Sequence, residues 1–457
     1  MAKKFIEKAA EAPARMLERA VLDTEKLAGK MGGRKTLAAA KNYWHILGPG
    51  LTTGASDDDG SGIATYSQTG ARYGYGLLWL AAFTFPLMAI VQEMCARIGL
   101  VTGQGLAANI KKHFPRWVLL TATMLLFTAN TFNIGADIGA MAEAVRLFRP
   151  EWSFGLIAIG MTALILGLQI FTPYKNYAKY LKWLALVLLS YIFSTLLIDG
   201  LDWMAIGRAA IVPSLANIDR DQIILICAIL GTTISPYLFF WQTSQEVEEE
   251  IASGETSIAS RRNGLQPEQI KDMRVDVWSG MFLSNLVMFF IITATAATLN
   301  ATGITNIETA AQAAEALRPL AGDYSYALFA IGIIGVCLLG IPVLAGSASY
   351  AISESFGWRQ GLSYKLKQAY AFYGVIILSV LIGLGLNFVG LDPIKALIYS
   401  AVANGLVAPV VLALIVILSA NKKIMGERVN HPITTWLGWI TTAIMVTAGV
   451  ATIWSFF

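Results

Sequence analysis

The chain runs to 457 residues, 56% hydrophobic and only 14% charged, and its 34 Lys and Arg against 30 Asp and Glu leave a net charge of +4 with the three histidines neutral. Soluble domains carry about a quarter charged residues, so this composition, with a mean hydropathy of +0.58, excludes an ordinary soluble enzyme and gives no reason to expect a nucleic-acid partner. It describes an all-α protein embedded in a lipid bilayer.

Residues 1–42 open the chain with mixed charge (Lys3, Lys4, Glu7, Lys8, Glu11, Arg15) and no apolar stretch ahead of a small-residue cleavage site, so no cleaved signal peptide is expected. This arm is expected in the cytoplasm or along the membrane surface, where Phe5, Ile6, Met16 and Leu17 can meet lipid. From residue 43 to residue 457, apolar stretches long enough to cross a bilayer begin near Tyr43, Tyr75, Trp117, Trp152, Tyr180, Gln222, Val275, Tyr324, Gln368, Ile394 and Thr434, eleven spans in all. An odd count puts the termini on opposite sides. With the N-terminus in the cytoplasm most Lys and Arg fall inside, among them Lys111, Lys112, Arg261, Arg262, Lys422 and Lys423, as cytoplasmic loops require. The expectation is a multi-pass protein of the cell membrane with its C-terminus outside. Cys95, Cys227 and Cys337 lie far apart in apolar segments, which suits buried thiols rather than disulfides or a thiolate metal cluster.

Span 1 is broken by Gly54, Gly60 and Gly62 and carries three consecutive aspartates, Asp57, Asp58 and Asp59. At bilayer depth each carboxylate costs about 2.5–3.5 kcal/mol, so three left charged and unpaired cost about 8–10 kcal/mol; a cation is the expected compensation. Span 6 is interrupted in its turn by Gly231-Thr232-Thr233-Ile234-Ser235-Pro236-Tyr237, where the proline removes an amide donor and crowds the preceding turn. A lone proline often only kinks a membrane helix. Two interrupted spans five apart, however, are the spacing of two inverted five-helix repeats, whose broken helices flank a transporter's central site. The repeats are expected over about 43–200 and 220–421, with an extra helix over about 432–457.

Gly48-Pro49-Gly50-Leu51, followed by Asp59 and Ala64-Thr65, resembles the first helix of the natural resistance-associated macrophage protein (NRAMP) family of divalent-metal transporters, with its GPG opening and Asp-Pro-Gly-Asn break. The resemblance extends through Gln92–Gly103, Asp137-Ile138, Ser400–Pro409 and Asn421–Gly426. It implies eleven helices in a LeuT-like 5+5 inverted repeat, broken at helices 1 and 6, carrying a divalent cation by alternating access. The departures are chemical: the family's asparagine ligand becomes Gly62, and its Met-Pro-His becomes Ser235-Pro236-Tyr237, which removes both thioether and imidazole. A thioether favours softer ions, so its loss predicts relaxed or hard-ion selectivity. A glycine in place of asparagine predicts room for retained water, which suits Mg2+, and the pattern is similar to the NRAMP-related magnesium transporters; Mn2+ is expected to be accepted as well.

The expected metal site is Asp59 as the anionic ligand and Ser235 as a hydroxyl neighbour, with the carbonyls of Ser56 and Thr232 carried over from the family, and Gly62 and Tyr237 completing it. Asp57 and Asp58 read either as a vestibule and a helix cap or as purely structural groups. Asn130, Asn133 and Asp137 recur at helical spacing and could form a wet face of span 3, though helix–helix hydrogen bonds explain the asparagines equally well. Gln242 and Asn404 are candidates for the pathway, Glu93 and Arg97 for an ion pair one turn apart. The acidic run Glu246–Glu250 reads as a solvated loop, and Gly332–Gly346 as a packing face.

Proton coupling in the family is thought to use a span 3 carboxylate pair and the span 6 histidine. Here Asp137 keeps one carboxylate, Ala140 stands at its partner's position, and His45, His113 and His431 lie at span ends. Uncoupled, potential-driven uptake is therefore expected. The alternatives are a proton-coupled Mn2+/Fe2+ symporter and a sodium-coupled solute symporter using Thr52, Thr53, Thr232, Thr233, Tyr237 and Trp241. The zinc, aspartate-pair and Gly-x-Ser-x-Gly motifs of membrane hydrolases are missing from the sequence, so an enzyme is not expected, nor any cofactor beyond the transported ion. The oligomeric state stays open, a monomer included.

Overall fold

The computed structural model describes residues 48–172, 189–214 and 219–457, which are helical with no strand among them. The N-terminal arm, the predicted start of span 1 with His45, and the predicted start of span 5 at Tyr180 lie outside the described residues. Among the described residues, eight helices are long and apolar enough to cross a membrane. To these add the shorter apolar helix of span 9 (Tyr370–Leu386) and the two half-helices of span 1. Span 5 is described only over its last part, Leu189–Leu196. Most predicted starts fall within a few residues of the observed ones. Span 7 differs, beginning at Pro267 rather than near Val275, because Gln266 and Gln269 form a capping box and Pro267 occupies the first helical position.

Span 1 consists of half-helix 1a, Pro49–Asp57, and half-helix 1b, Gly60–Tyr73. The break falls at Asp58 and Asp59. Gly54, expected to interrupt the span, sits inside continuous helix, where its missing side chain lets span 7 approach: a methyl there would lie 2.2 Å from the Gly280 carbonyl oxygen. Span 6 consists of 6a, Arg220–Thr233, and 6b, which starts with Pro236 at its first position and runs to Ala252. Pro86, Pro342 and Pro409 lie inside spans 2, 8 and 10 without ending them. Only at Pro236 does a serine just before the proline turn its hydroxyl back onto the preceding turn, Ser235 Oγ donating to the carbonyls of Gly231 and Thr232 at 2.6 and 2.7 Å.

The acidic run near Glu250 is not a solvated loop. It forms the last turns of 6b, with Glu246, Glu248 and Glu250 buried. Glu248 accepts from Tyr350 Oη (2.8 Å), the Leu362 amide (3.0 Å) and Ser363 Oγ (2.5 Å), which ties 6b to the loop after span 8. Span 3 packs against spans 8 and 10, and all three meet the broken spans, while spans 4 and 11 are peripheral, with 22% and 33% of their apolar windows buried against 83% for span 6. The broken helices thus occupy the centre, where lipid cannot reach their unpaired backbone groups. Glu93 pairs with Arg97 as expected and also binds Arg274 and the Trp278 indole.

Candidate metal site

Asp59 is fully buried at the break of span 1 and is itself the cap of half-helix 1b. Its Oδ1 accepts from the Gly62 amide (3.0 Å) and Ser61 Oγ (2.6 Å), and its Oδ2 accepts from Asn133 Nδ2 (2.8 Å) on span 3. Asn133 Oδ1 in turn accepts from Ser400 Oγ (2.9 Å) on span 10. One turn beyond Asn133, the Asp137 carboxylate lies against Gly60, where an added methyl would meet its Oδ1 at 2.5 Å and Cys337 Sγ at 3.1 Å. Gly340 on span 8 leaves space for both acids: a methyl there would stand 2.9 Å from Asp59 Cβ and 3.7 Å from Asp137 Oδ2.

The break of span 6 faces this one directly. Tyr237 Oη donates to the Ser56 carbonyl at 2.9 Å, and Ser61 Oγ lies 3.4 Å from Thr232 Oγ1. Ser56, Asp59, Gly62, Thr232, Ser235 and Tyr237 are therefore gathered where the two breaks meet. The carbonyls of Ser56 and Thr232 each accept a protein hydrogen bond, from Tyr237 and Ser235, and each keeps a second lone pair. Gly62 does not leave a roomy gap. A methyl on it would lie 3.2 Å from the Asp57 carbonyl oxygen, 3.3 Å from the Thr232 hydroxyl and 3.4 Å from the Tyr66 ring, so neighbouring atoms already fill the space the sequence suggested for water.

Neither Asp57 nor Asp58 is the cap of half-helix 1b. Both are fully buried and share one hydroxyl on span 7, Ser284 Oγ, at 2.6 and 3.4 Å. The cap expected of one of them is supplied by Asp59, because half-helix 1b starts only at Gly60. Asn130 serves helix packing, its Nδ2 donating to Leu344 O and Ser347 Oγ at 2.8 Å each. Gln242 donates to Glu246 Oε1 at 2.7 Å, within one helix. Asn404 is buried in span 10, and neither end of its amide has a hydrogen-bond partner among the described residues. Ser61, Ser284, Cys337 and Ser400 were not anticipated. Ser61 could have been read from its position two residues after a capping aspartate, whereas the other three depend on which distant spans pack here.

Among the described residues none of Asp57, Asp58, Asp59 and Asp137 has a basic partner, and no three His, Cys, Asp or Glu side chains converge as a ready-made metal cluster. What the junction offers a cation is carboxylate, hydroxyl and carbonyl oxygen.

A family profile described as natural resistance-associated macrophage protein-like matches residues 50–455. The chain belongs to this NRAMP-like family. Among its relatives, the divalent metal cation transporter MntH of Klebsiella pneumoniae subsp. pneumoniae is 26% identical over 417 residues, covering 90% of this chain and 94% of the relative. MntH of Yersinia pestis is 25% identical over 405 residues, covering 88% and 92%. Of solved structures, the Eremococcus coleocola manganese transporter superposes with a TM-score of 0.68 at 18% identity, covering 90% of this chain and 86% of that one. Mhp1, a nucleobase-cation-symport-1 family transporter, gives 0.56 at 13% identity, covering 90% and 92%. These likenesses show the LeuT-like fold, with helices 1 and 6 broken, for this NRAMP-like chain.

Proposed function

We propose that the protein carries divalent cations across the membrane by alternating access, with Mg2+ as the principal ion and Mn2+ also accepted. The observation that carries this is a fully buried aspartate, Asp59, held by neutral donors at the meeting point of two broken helices, with no basic residue among the described ones to balance it. Asp59 is the anionic ligand, and the Ser56 and Thr232 carbonyls and the Ser235 hydroxyl are its oxygen partners. The Tyr237–Ser56 hydrogen bond closes the junction and must open for an ion to enter. The named activity of the curated relatives supports divalent-cation transport. The oxygen-rich donor set supports Mg2+, a hard ion that gives up water reluctantly.

Uptake is driven by the membrane potential, with the N-terminus in the cytoplasm. A doubly charged ion crossing 100 mV gains about 4.6 kcal/mol, more than a thousandfold in concentration at equilibrium. Asp137 beside Gly60 is the one observation that favours the rival, a proton-coupled Mn2+/Fe2+ symporter, since a second buried carboxylate next to the ion site could accept a proton. Flux of Mg2+, Mn2+ and Ca2+ into proteoliposomes, followed together with internal pH, tests both. Metal uptake without stoichiometric proton movement is expected; coupled acidification would replace this reading by the symporter.

A further inference from the structure

Four basic side chains from three separate stretches of sequence converge on one small cavity of about 50 Å3 at the ends of spans 2 and 10. Lys112 and His113 come from the helix Leu106–His113, Arg262 from the helix Ile258–Gly264 and Lys423 from the helix Lys422–Met425. The floor is polar and fixed: Asn109, 1% exposed, donates through Nδ2 to Thr102 Oγ1 (2.9 Å) and to the carbonyls of residues 104 and 105 (3.1 and 2.9 Å). The wall carrying Arg262 is fastened by its neighbour Arg261, whose Nε donates to the Gly103 carbonyl at 3.0 Å and whose Nη1 donates to the Glu255 and Thr256 carbonyls at 3.0 and 3.1 Å.

A basic edge is ordinary on a cytoplasmic face, where each cation is simply solvated. This cluster differs because its charges surround a concavity and stay unpaired. No carboxylate lines it, and Lys112, Arg262 and Lys423 have no ion-pair partner among the described residues. Other arginines in this part of the chain are engaged, Arg274 by Glu93 (2.8 Å) and Arg428 by the Leu265 carbonyl (3.0 Å). Like charges gathered around a fixed polar hollow repel one another until an anion enters. Arginine and lysine together match a phosphate group, the first as a two-pronged donor and the second as a point charge. Trp117 and Trp436, 69% and 71% exposed, follow the cluster in sequence at the starts of spans 3 and 11, as interfacial aromatics do at headgroup level.

We propose that this cavity binds a phosphate group, carried either by an anionic lipid headgroup or by a soluble molecule. The test uses the full-length protein in detergent and in vesicles. Binding of inorganic phosphate is measured at constant ionic strength against chloride. Lipid retention is measured by native mass spectrometry after exposure to phosphatidylcholine vesicles with and without phosphatidylglycerol. The parent is expected to retain phosphatidylglycerol over phosphatidylcholine, to bind phosphate, or both. The double variant Arg262→Gln with Lys423→Gln is expected to weaken that binding at least tenfold, while Lys395→Gln, at the exposed start of span 10, leaves it unchanged. Retention of phosphatidylglycerol alone assigns the lipid, and phosphate binding alone assigns a soluble ligand. If the double variant does not elute as folded protein, Lys112→Gln at the exposed helix end makes the same comparison. Binding of neither probe above its control, or binding that survives these substitutions, overturns the proposal.

Discussion

At the scale of single residues, Asp59 has two separable jobs. It caps half-helix 1b and, in the proposed function, supplies the negative charge that holds the ion, and two substitutions pull these apart. Asp59→Asn keeps an oxygen for the Gly62 amide but loses the charge; Asp59→Ala loses both. Transport is expected to vanish in both variants, while only Asp59→Ala should also lower thermal stability, by the ~1 kcal/mol of a lost N-cap. Ser235→Met tests selectivity at a position whose hydroxyl now bonds to the Gly231 and Thr232 carbonyls. The thioether is expected to shift flux toward Mn2+ and Cd2+ relative to Mg2+, read in competition assays. Asp59 was legible in the sequence because a carboxylate inside an apolar run demands a reason. The roles of Asp57 and Asp58 were not legible, since the hydroxyl they share, on Ser284, lies more than two hundred residues away and nothing local announces it.

At the scale of elements, half-helix 1a lies along span 7 as on a rail. Asp276, Gly280 and Ser284 follow one another at four-residue intervals, so they share one helix face. Asp276 accepts from the Gly50 and Leu51 amides at 2.6 and 3.0 Å, Gly280 meets the Gly50 and Gly54 backbone, and Ser284 reaches Asp57. A methyl at Gly280 would sit 2.1 Å from the Gly50 carbonyl oxygen, a contact only backbone movement can relieve. Gly280→Ala is therefore expected to destabilise the protein by about 1–3 kcal/mol and to slow transport, checked by melting temperature and flux. Asp276→Ala leaves two half-helix amides without their acceptor and should loosen 1a, seen as faster labelling of a cysteine placed at the buried Ala55. The sequence located both broken spans, because glycines, charge and proline interrupt apolar runs there. It misplaced the interruption at Gly54, since a glycine that breaks a helix and one that admits a neighbouring backbone look alike until the neighbour is known. The acidic run of span 6b misled for the same reason: Ser363, Tyr350 and Leu362, which satisfy Glu248, arrive from elsewhere in the chain.

At the scale of the whole molecule, the question is what force moves the ion, and the described groups outside the spans narrow it. The Tyr73 hydroxyl and the Gln222 amide hold the Asp219 carboxyl below the usual carboxylate range, beside the Arg72–Asp221 pair that joins half-helices 1b and 6a. A carboxyl lowered by folding contributes stability above its unfolded value and loses it only as the pH falls through the folded one. The Asp219 contact with Tyr73 therefore stays intact across neutral pH, and transport compared between about pH 6 and 8 does not pass through the Asp219 titration. A cation that crosses with no proton carries two positive charges per cycle, so its equilibrium accumulation should rise about tenfold for every ~30 mV of inside-negative potential, at about 2.3 kcal/mol per charge per 100 mV. In proteoliposomes clamped with valinomycin and potassium gradients, steady-state Mg2+ uptake is expected to follow that slope and to be indifferent to an imposed pH difference. A slope corresponding to fewer than two charges, or uptake that follows the pH difference at zero potential, would assign part of the driving force to a counter-moving or co-moving ion, and Asp137 would then be the carboxylate to neutralise first.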